Sequence, residues 1–183
     1  MFLTIHIGAH GDKHLVRQSP HKGACSHVRP SSFEQLLFFN IKPALDYYEQ
    51  QGKRYDAVML LQNTSPFRTE EHVKEALKLF TPEVDMVVSV KECAANPYYC
   101  VFEEDGEGYL HVCKGDGNIF RRQDAPKVYE YNGAIYIMNV EKLKTTHMHK
   151  MQKRAKYVMD ETSSLDLDTM WDWQMAEMMA KKN

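Results

Sequence analysis

Tyr55-Asp56-Ala57-Val58-Met59-Leu60-Leu61, running on into Gln62-Asn63-Thr64-Ser65-Pro66-Phe67-Arg68, is the stretch that decides the fold of this chain. The first seven residues are short and almost continuously apolar, as expected of a strand buried on both faces. Polarity returns abruptly at Gln62. Thr69 is then suited to cap a helix reaching Phe80, because Val73, Ala76, Leu77 and Phe80 recur three and four apart and Glu70 and Glu71 suit its first turn. Asp85–Val90 (DMVVSV) reads as the next strand. Strand, helix and strand form a βαβ unit, which predicts a parallel pair joined by a right-handed crossover. Ligands of such sheets bind beyond the carboxyl ends of strands, where residues 62–68 lie.

Working outward, Leu36, Leu37, Ile41, Ala44, Leu45 and Tyr48 keep helical spacing, with Pro43 at an expected kink or early turn. Downstream, short strands are expected near Tyr99–Glu103, Tyr109–Val112, Ala134–Met138 and Lys156–Met159, with a loop over Gly115–Asn118. The chain should close on a helix from about Thr169 to Lys181, whose Trp171, Met175 and Met178 read as a stripe facing the core. Residues 1–30 break these patterns. They hold His6, His10, His14, His21 and His27 without a period of 2 or 3.6, and the histidine intervals lack a second ligand cluster. A poorly ordered or weakly packed segment is the preferred reading of that stretch.

With 183 residues, 43% of them hydrophobic, the chain is sized for one globular core. Its 23 basic and 25 acidic residues leave a net charge of -2, which offers no footprint for nucleic acid. Cys25, Cys93, Cys100 and Cys113 show no C-x-x-C spacing, so reduced thiols are expected. No run approaches a membrane span and the apolar start is too short for a signal core, so a soluble cytoplasmic protein is expected.

Three clusters carry candidate chemistry. Residues 60–68 bring an amide, two hydroxyls and a guanidinium to a strand mouth, suiting a polyhydroxylated or anionic ligand, or else form a capped loop before a helix. Residues 121–137 (RRQDAPKVYEYNGAIYI) offer adjacent arginines for an anion and Asn132-Gly133 as a tight turn, or else a solvated basic loop. Asn132 and Tyr136 are spaced to meet over one pocket. Residues 164–169 (SLDLDT) would place Asp166 and Asp168 on one face of an extended segment, suiting Mg²⁺ with phosphate oxygens. Asp168 equally suits the N-cap of the last helix.

In this order the three clusters resemble the acylneuraminate cytidylyltransferase family, whose members read L-L-Q-P-T-S-P-L-R, R-Q-x-x-P-x-x-Y-x-x-N-G-A-I-Y and S-I-D-I-D-T. The resemblance runs from about Arg29 to Ala180. It implies a Rossmann-like three-layer α/β fold with a mixed sheet of the nucleotide-diphosphosugar transferase type. It also implies transfer of CMP from CTP to a sialic-acid-type nonulosonic acid, with release of pyrophosphate. Gln62, Arg122, Asn132 and Tyr136 then correspond to sugar-pocket residues, Arg122 facing the sugar carboxylate, and Asp166 and Asp168 to the Mg²⁺ carboxylates. A homodimer is implied, with 142–156 as its projecting arm. Asn63 and Phe67 depart from the pattern, and Glu130 stands where many members are basic or neutral. Pseudaminic and legionaminic acids are alternative sugars.

The family's opening strand and phosphate loop, I-P-A-R-G-G-S-K-x-x-x-x-K-N, has no counterpart in residues 1–30. The chain is therefore expected to divide into an atypical segment, 1–28, and a cytidylyltransferase-like domain, 29–183, lacking the first phosphate-loop strand and helix. CTP affinity is expected to be weak, and the alternative is a non-catalytic homologue that binds sugar or pairs with a full-length subunit.

Overall fold

The computed structural model describes the backbone of residues 3–9, 12–18 and 33–181, with side chains from Ile41 to Lys181. In chain order the elements are β1 (Leu3–Ala9), β2 (Asp12–Gln18), α1 (Phe33–Gln50), β3 (Ala57–Gln62), α2 (Glu70–Lys78), β4 (Met86–Glu92), β5 (Phe102–Glu104) and β6 (Leu110–Val112). There follow a 3-10 turn (Arg122–Asp124), β7 (Tyr129–Asn139), α3 (Val140–Thr145), a second 3-10 turn (Met148–Lys150), β8 (Arg154–Val158) and α4 (Met170–Ala180). The boundary expected at residue 28 lies outside the described residues. So do His10, Gly11, His21, Cys25 and His27.

Six strands form one mixed sheet in the order β2-β1-β3-β7-β4-β8, and β5 and β6 form a separate antiparallel pair. The strand pattern explains how the sheet is buried. Val58 and Leu60 of β3, Met86 and Val88 of β4, and Tyr136 and Met138 of β7 join Ile41, Leu45 and Tyr48 of α1 in one cluster. Their alternate neighbours Met59, Val87, Ile135 and Ile137 pack with Ala76 and Val73 of α2 in the other. Because successive strand residues point to opposite faces, the nearly unbroken apolar runs are what a sheet between two helical layers requires. The fold is therefore the expected three-layer α/β arrangement.

Three local expectations change. First, β3 and β4 run parallel but are not neighbours, because β7 enters between them, antiparallel to both. Ala134–Met138 is apolar on both faces and fully enclosed, so it belongs in the middle of a sheet, with β8 taking the edge beside β4 in parallel. Second, the segment expected to project, 142–156, is anchored to its own core at two points while most of its residues stay exposed. Met148 and Met151 are buried in the α1-side core, and Lys144 pairs with Glu49 and Glu141. Third, α4 does not turn its apolar stripe to the core. Met170, Trp171, Trp173 and Met178 are all exposed, and no residue of the helix is fully buried.

Helix ends are set by side chains. Thr69 Oγ accepts from His72 N–H while His72 Nδ1 accepts from Thr69 N–H, a reciprocal cap on α2. Thr169 and Asp172 do the same for α4. The α4 cap is thus Thr169, not Asp168, and only the backbone N–H of Asp168 joins it, donating to Asp172 Oδ2. Cys93, Cys100 and Cys113 are free thiols. Among the described residues no helix is long and apolar enough to cross a membrane.

Candidate functional site

Beyond the end of β3, a hollow of about 690 Å³ opens between that strand, β7 and the loop leading to α4. Gln62, Asn132, Tyr136, Asp166 and Asp168 all line it, so five of the six residues singled out in the sequence meet around one space. Arg122 does not. It lines a second hollow of about 430 Å³ with Glu92, Cys93, Asn96, Tyr99 and Lys127. The two adjoin where Glu130, on the first, accepts from the Cys93 thiol (3.5 Å), on the second.

Each wall has a local cause. Asn132-Gly133 is not a turn between elements but a bulge inside β7. Val88 pairs with Tyr136 and Val90 with Tyr131, so Ser89 alone stands opposite residues 132–135. Gly133 has φ +76, open to glycine at little cost. A methyl there would collide with Gln62 Oε1 and lie 3.4 Å from Asp166 Oδ2. The glycine therefore lets the end of β3 and the bulge of β7 close on the carboxylate loop.

Arg68, read as a candidate anion contact, is turned inward. One guanidinium nitrogen donates to Gln62 O (2.7 Å) and Ala134 O (2.9 Å), tying the end of β3 to the bulge. Burial holds its pKa below the ordinary arginine value. Gln62 Oε1 is buried without a hydrogen-bond partner, as is Ser65 Oγ. A buried acceptor left unpaired costs about 1–3 kcal/mol, a cost that a ligand donor reaching Gln62 would remove.

The loop carrying the aspartates is fastened at several points. Leu167 N–H donates to Thr64 O (2.9 Å), Ser164 N–H to Asp160 O (3.1 Å), and Asp160 holds Ser163 through both backbone and hydroxyl. Leu167 N–H also lies 3.1 Å from Asp166 Oδ1. Since Thr169 supplies the helix cap, the Asp168 carboxylate remains at the hollow.

Electrostatically the hollow is acidic. Glu130, Glu161, Asp166, Asp168 and Asp172 line it against the single amine of Lys91, which lies 3.2 Å from Glu130. Burial raises the Asp166 carboxyl above its ordinary pKa, and the nearby Asp168 charge adds to the rise, partly opposed by a hydrogen bond from Thr64. A carboxyl that holds its proton more tightly when folded costs stability as pH rises through the carboxylate range. Asp166→Asn is thus expected to raise the melting temperature at neutral pH by roughly 1–3 °C, a small figure because the group is partly solvated. The gain should vanish in acid, where both folded and unfolded states carry the proton. Melting curves across that range check it. The Tyr136 hydroxyl is pushed up to about 12, first by burial and then by Tyr131 and Asp166, so at neutral pH it is a phenol.

Two oxygen-bearing carboxylates on one hollow suit a hard divalent cation, whose charge would favour the ionised Asp166 that burial, and after it the Asp168 charge, disfavours. Among the described residues no group of three or more His, Cys, Asp or Glu side chains is disposed to hold a metal. The pair would therefore need further oxygen ligands from a bound molecule or water. Sequence reading missed Lys91, Glu161 and Asp172. Lys91 had a signal, a charged residue just past the apolar part of a central strand, where ligand sites of α/β sheets gather.

No family model matches the chain. It is 37% identical over 134 residues to an N-acylneuraminate cytidylyltransferase of Streptococcus agalactiae serotype V, covering 73% of this chain and 31% of that protein. It is 35% identical over 159 residues to an N-acylneuraminate cytidylyltransferase of Escherichia coli O18:K1:H7, covering 85% of this chain and 35% of that protein. A CMP-N,N'-diacetyllegionaminic acid synthase of Legionella pneumophila is 27% identical over 138 residues, covering 74% of this chain and 59% of that protein. The chain thus spans about a third of the length of the first two relatives.

Proposed function

The chain belongs to the acylneuraminate cytidylyltransferase family, and from that premise we propose that it serves transfer of CMP from CTP to a sialic-acid-type nonulosonic acid. The observation that carries this reading is the meeting of Asp166 and Asp168 with Gln62 and Tyr136 at one hollow. A polyhydroxylated sugar offers the donor that the buried Gln62 Oε1 lacks, and the Tyr136 phenol faces the same space.

The reaction joins the sugar's anomeric hydroxyl to the α-phosphorus of CTP and releases pyrophosphate. Bound Mg²⁺ would offset charge on the phosphates, with Asp166 and Asp168 as its protein ligands. Five carboxylates around one amine repel a bare triphosphate or sugar acid, so the acidity of the hollow argues for a cation-loaded substrate. Arg122 is the partner assigned to the sugar carboxylate. Since it lines the adjoining hollow, a ligand touching both Arg122 and Gln62 would have to extend from one hollow into the other. The division into 1–28 and a domain 29–183 belongs to this proposal, as do the cytoplasmic location and the homodimer. Phe102 of β5 and Leu110 of β6, together with Tyr109 just before β6 and Phe120, supply exposed apolar surface for such contact.

The test is to incubate the purified chain with CTP, Mg²⁺ and N-acetylneuraminate and follow pyrophosphate. Release is expected, and legionaminic and pseudaminic acids in parallel reactions rank the sugars. Sugar binding without pyrophosphate would replace this reading with that of a non-catalytic homologue.

A further inference from the structure

Asn132 lines the hollow, yet its amide is already committed. Its Oδ1 accepts from the Ser89 hydroxyl (2.6 Å) and from Ala134 N–H (3.2 Å). Its Nδ2 donates to Ser164 Oγ (2.8 Å) and lies 3.4 Å from Met159 Sδ. An asparagine amide has two donor hydrogens and two acceptor sites, and all four are used by protein partners. The residue is 5% exposed. Ser89 is fully buried on β4 and also accepts from Ile135 N–H (2.7 Å), so the network begins in the rigid centre of the sheet. It ends at Ser164, itself buried, two residues before Asp166.

We propose that Asn132 is a positioning residue, which locks the Asp166–Asp168 loop to the bulge of β7 through Ser164 and acts on the cation half of the site instead of touching the sugar. The inference rests on the reading of Asp166 and Asp168 as cation ligands. The path is contiguous: Ser89 fixes the amide's orientation, the amide fixes Ser164, and Ser164 joins the turn to the sheet. Leu167 N–H on Thr64 O supplies a second anchor on the far side of Asp166. With both anchors made, the carboxylate is held between β3 and β7. With only the second, its loop is tethered at one end. Groups that orient first-sphere metal ligands typically change metal affinity about 10–100-fold when removed.

The experiment uses the full chain and Mn²⁺ alone, read by electron paramagnetic resonance, with hydrogen exchange at the Leu165 and Leu167 amides as a second readout. Asn132→Ala and Ser164→Ala are both expected to weaken Mn²⁺ binding about tenfold or more and to speed exchange in the loop. Ser164→Ala removes only a hydroxyl and guards against an Asn132 variant that fails to fold. Ser164→Thr, which keeps the hydroxyl, should restore both signals. Loop exchange and a Mn²⁺ signal identical in wild type and both alanine variants would overturn the proposal. So would an Asn132→Ala protein with weakened N-acetylneuraminate binding and an unchanged loop. Neither readout involves CTP, so a wild-type chain that releases no pyrophosphate counts against the proposed reaction and not against this inference.

Discussion

Replacing Gly133 with alanine is expected to cost the site far more than the fold. Two penalties arise, and they fall in different places. The backbone at φ +76 charges an alanine about 1–2 kcal/mol whatever surrounds it, which in a chain of this size lowers the melting temperature by roughly 2–8 °C. The new methyl also collides with Gln62 Oε1, the far end of a flexible side chain. That clash is relieved cheaply by swinging Gln62 away, so it appears as lost recognition. Sugar affinity should fall about tenfold or more, the worth of a buried hydrogen bond to an otherwise unpaired acceptor. Calorimetric titration with N-acetylneuraminate alongside thermal melts separates the two. Adding Gln62→Ala to Gly133→Ala should produce no further loss of affinity. Affinity that survives Gly133→Ala would show that Gln62 is not a sugar contact.

The second large effect is chemical. Asp166→Ala combined with Asp168→Ala should reduce pyrophosphate release by about 10³-fold or more, because losing the cation ligands removes several kcal/mol of charge stabilisation. Structural damage predicts the opposite balance from chemical loss. The Asp168 side chain caps no helix, and the burial of Asp166 opposes its ionisation, so the double variant should melt within a few degrees of the wild type. Sugar affinity without nucleotide should hold as well. An active double variant would remove the aspartates from the mechanism, whereas an unfolded one would show that the loop depends on them structurally.

Much of the architecture was legible because it is written in local periodicity. The apolar run before Gln62, the 3–4 spacing after Thr69 and the run ending at Val90 correspond to β3, α2 and β4. What stayed hidden depends on distant partners. Nothing in Ala134–Met138 says that this strand runs between β3 and β4, since the choice is made by pairing with residues some 50 to 80 positions away. Asn132-Gly133 has the composition of a turn, and it becomes a bulge because Ser89 and Ser164 supply buried partners. Ser89 did have a signal, a lone hydroxyl within Met-Val-Val-Ser-Val, where a buried polar group implies a committed partner.

The candidate site was legible by motif, with two exceptions of physical origin. Arg68 looked like a ligand group because its type suits anions, but two backbone carbonyls compete for it at the end of β3. Arg122 sits in the adjoining hollow because the 3-10 turn it begins is placed by the chain before β7, not by β7 itself. The last helix was misjudged for a different reason. Met170, Trp171, Trp173, Met175, Met178 and Met179 spread over most of its circumference, so more than one stripe is apolar and the period says nothing about which side is covered.

That exposed helix has an optical consequence. Both tryptophans of the chain, Trp171 and Trp173, lie on α4, and both are more than half open to solvent. Its tryptophan fluorescence is therefore the signal of a single helix, which begins one residue after the Asp168 loop ends. Emission should start at the long-wavelength limit of a hydrated indole and shift to the blue when anything settles over that helix. The chain thus carries its own dye beside the candidate site.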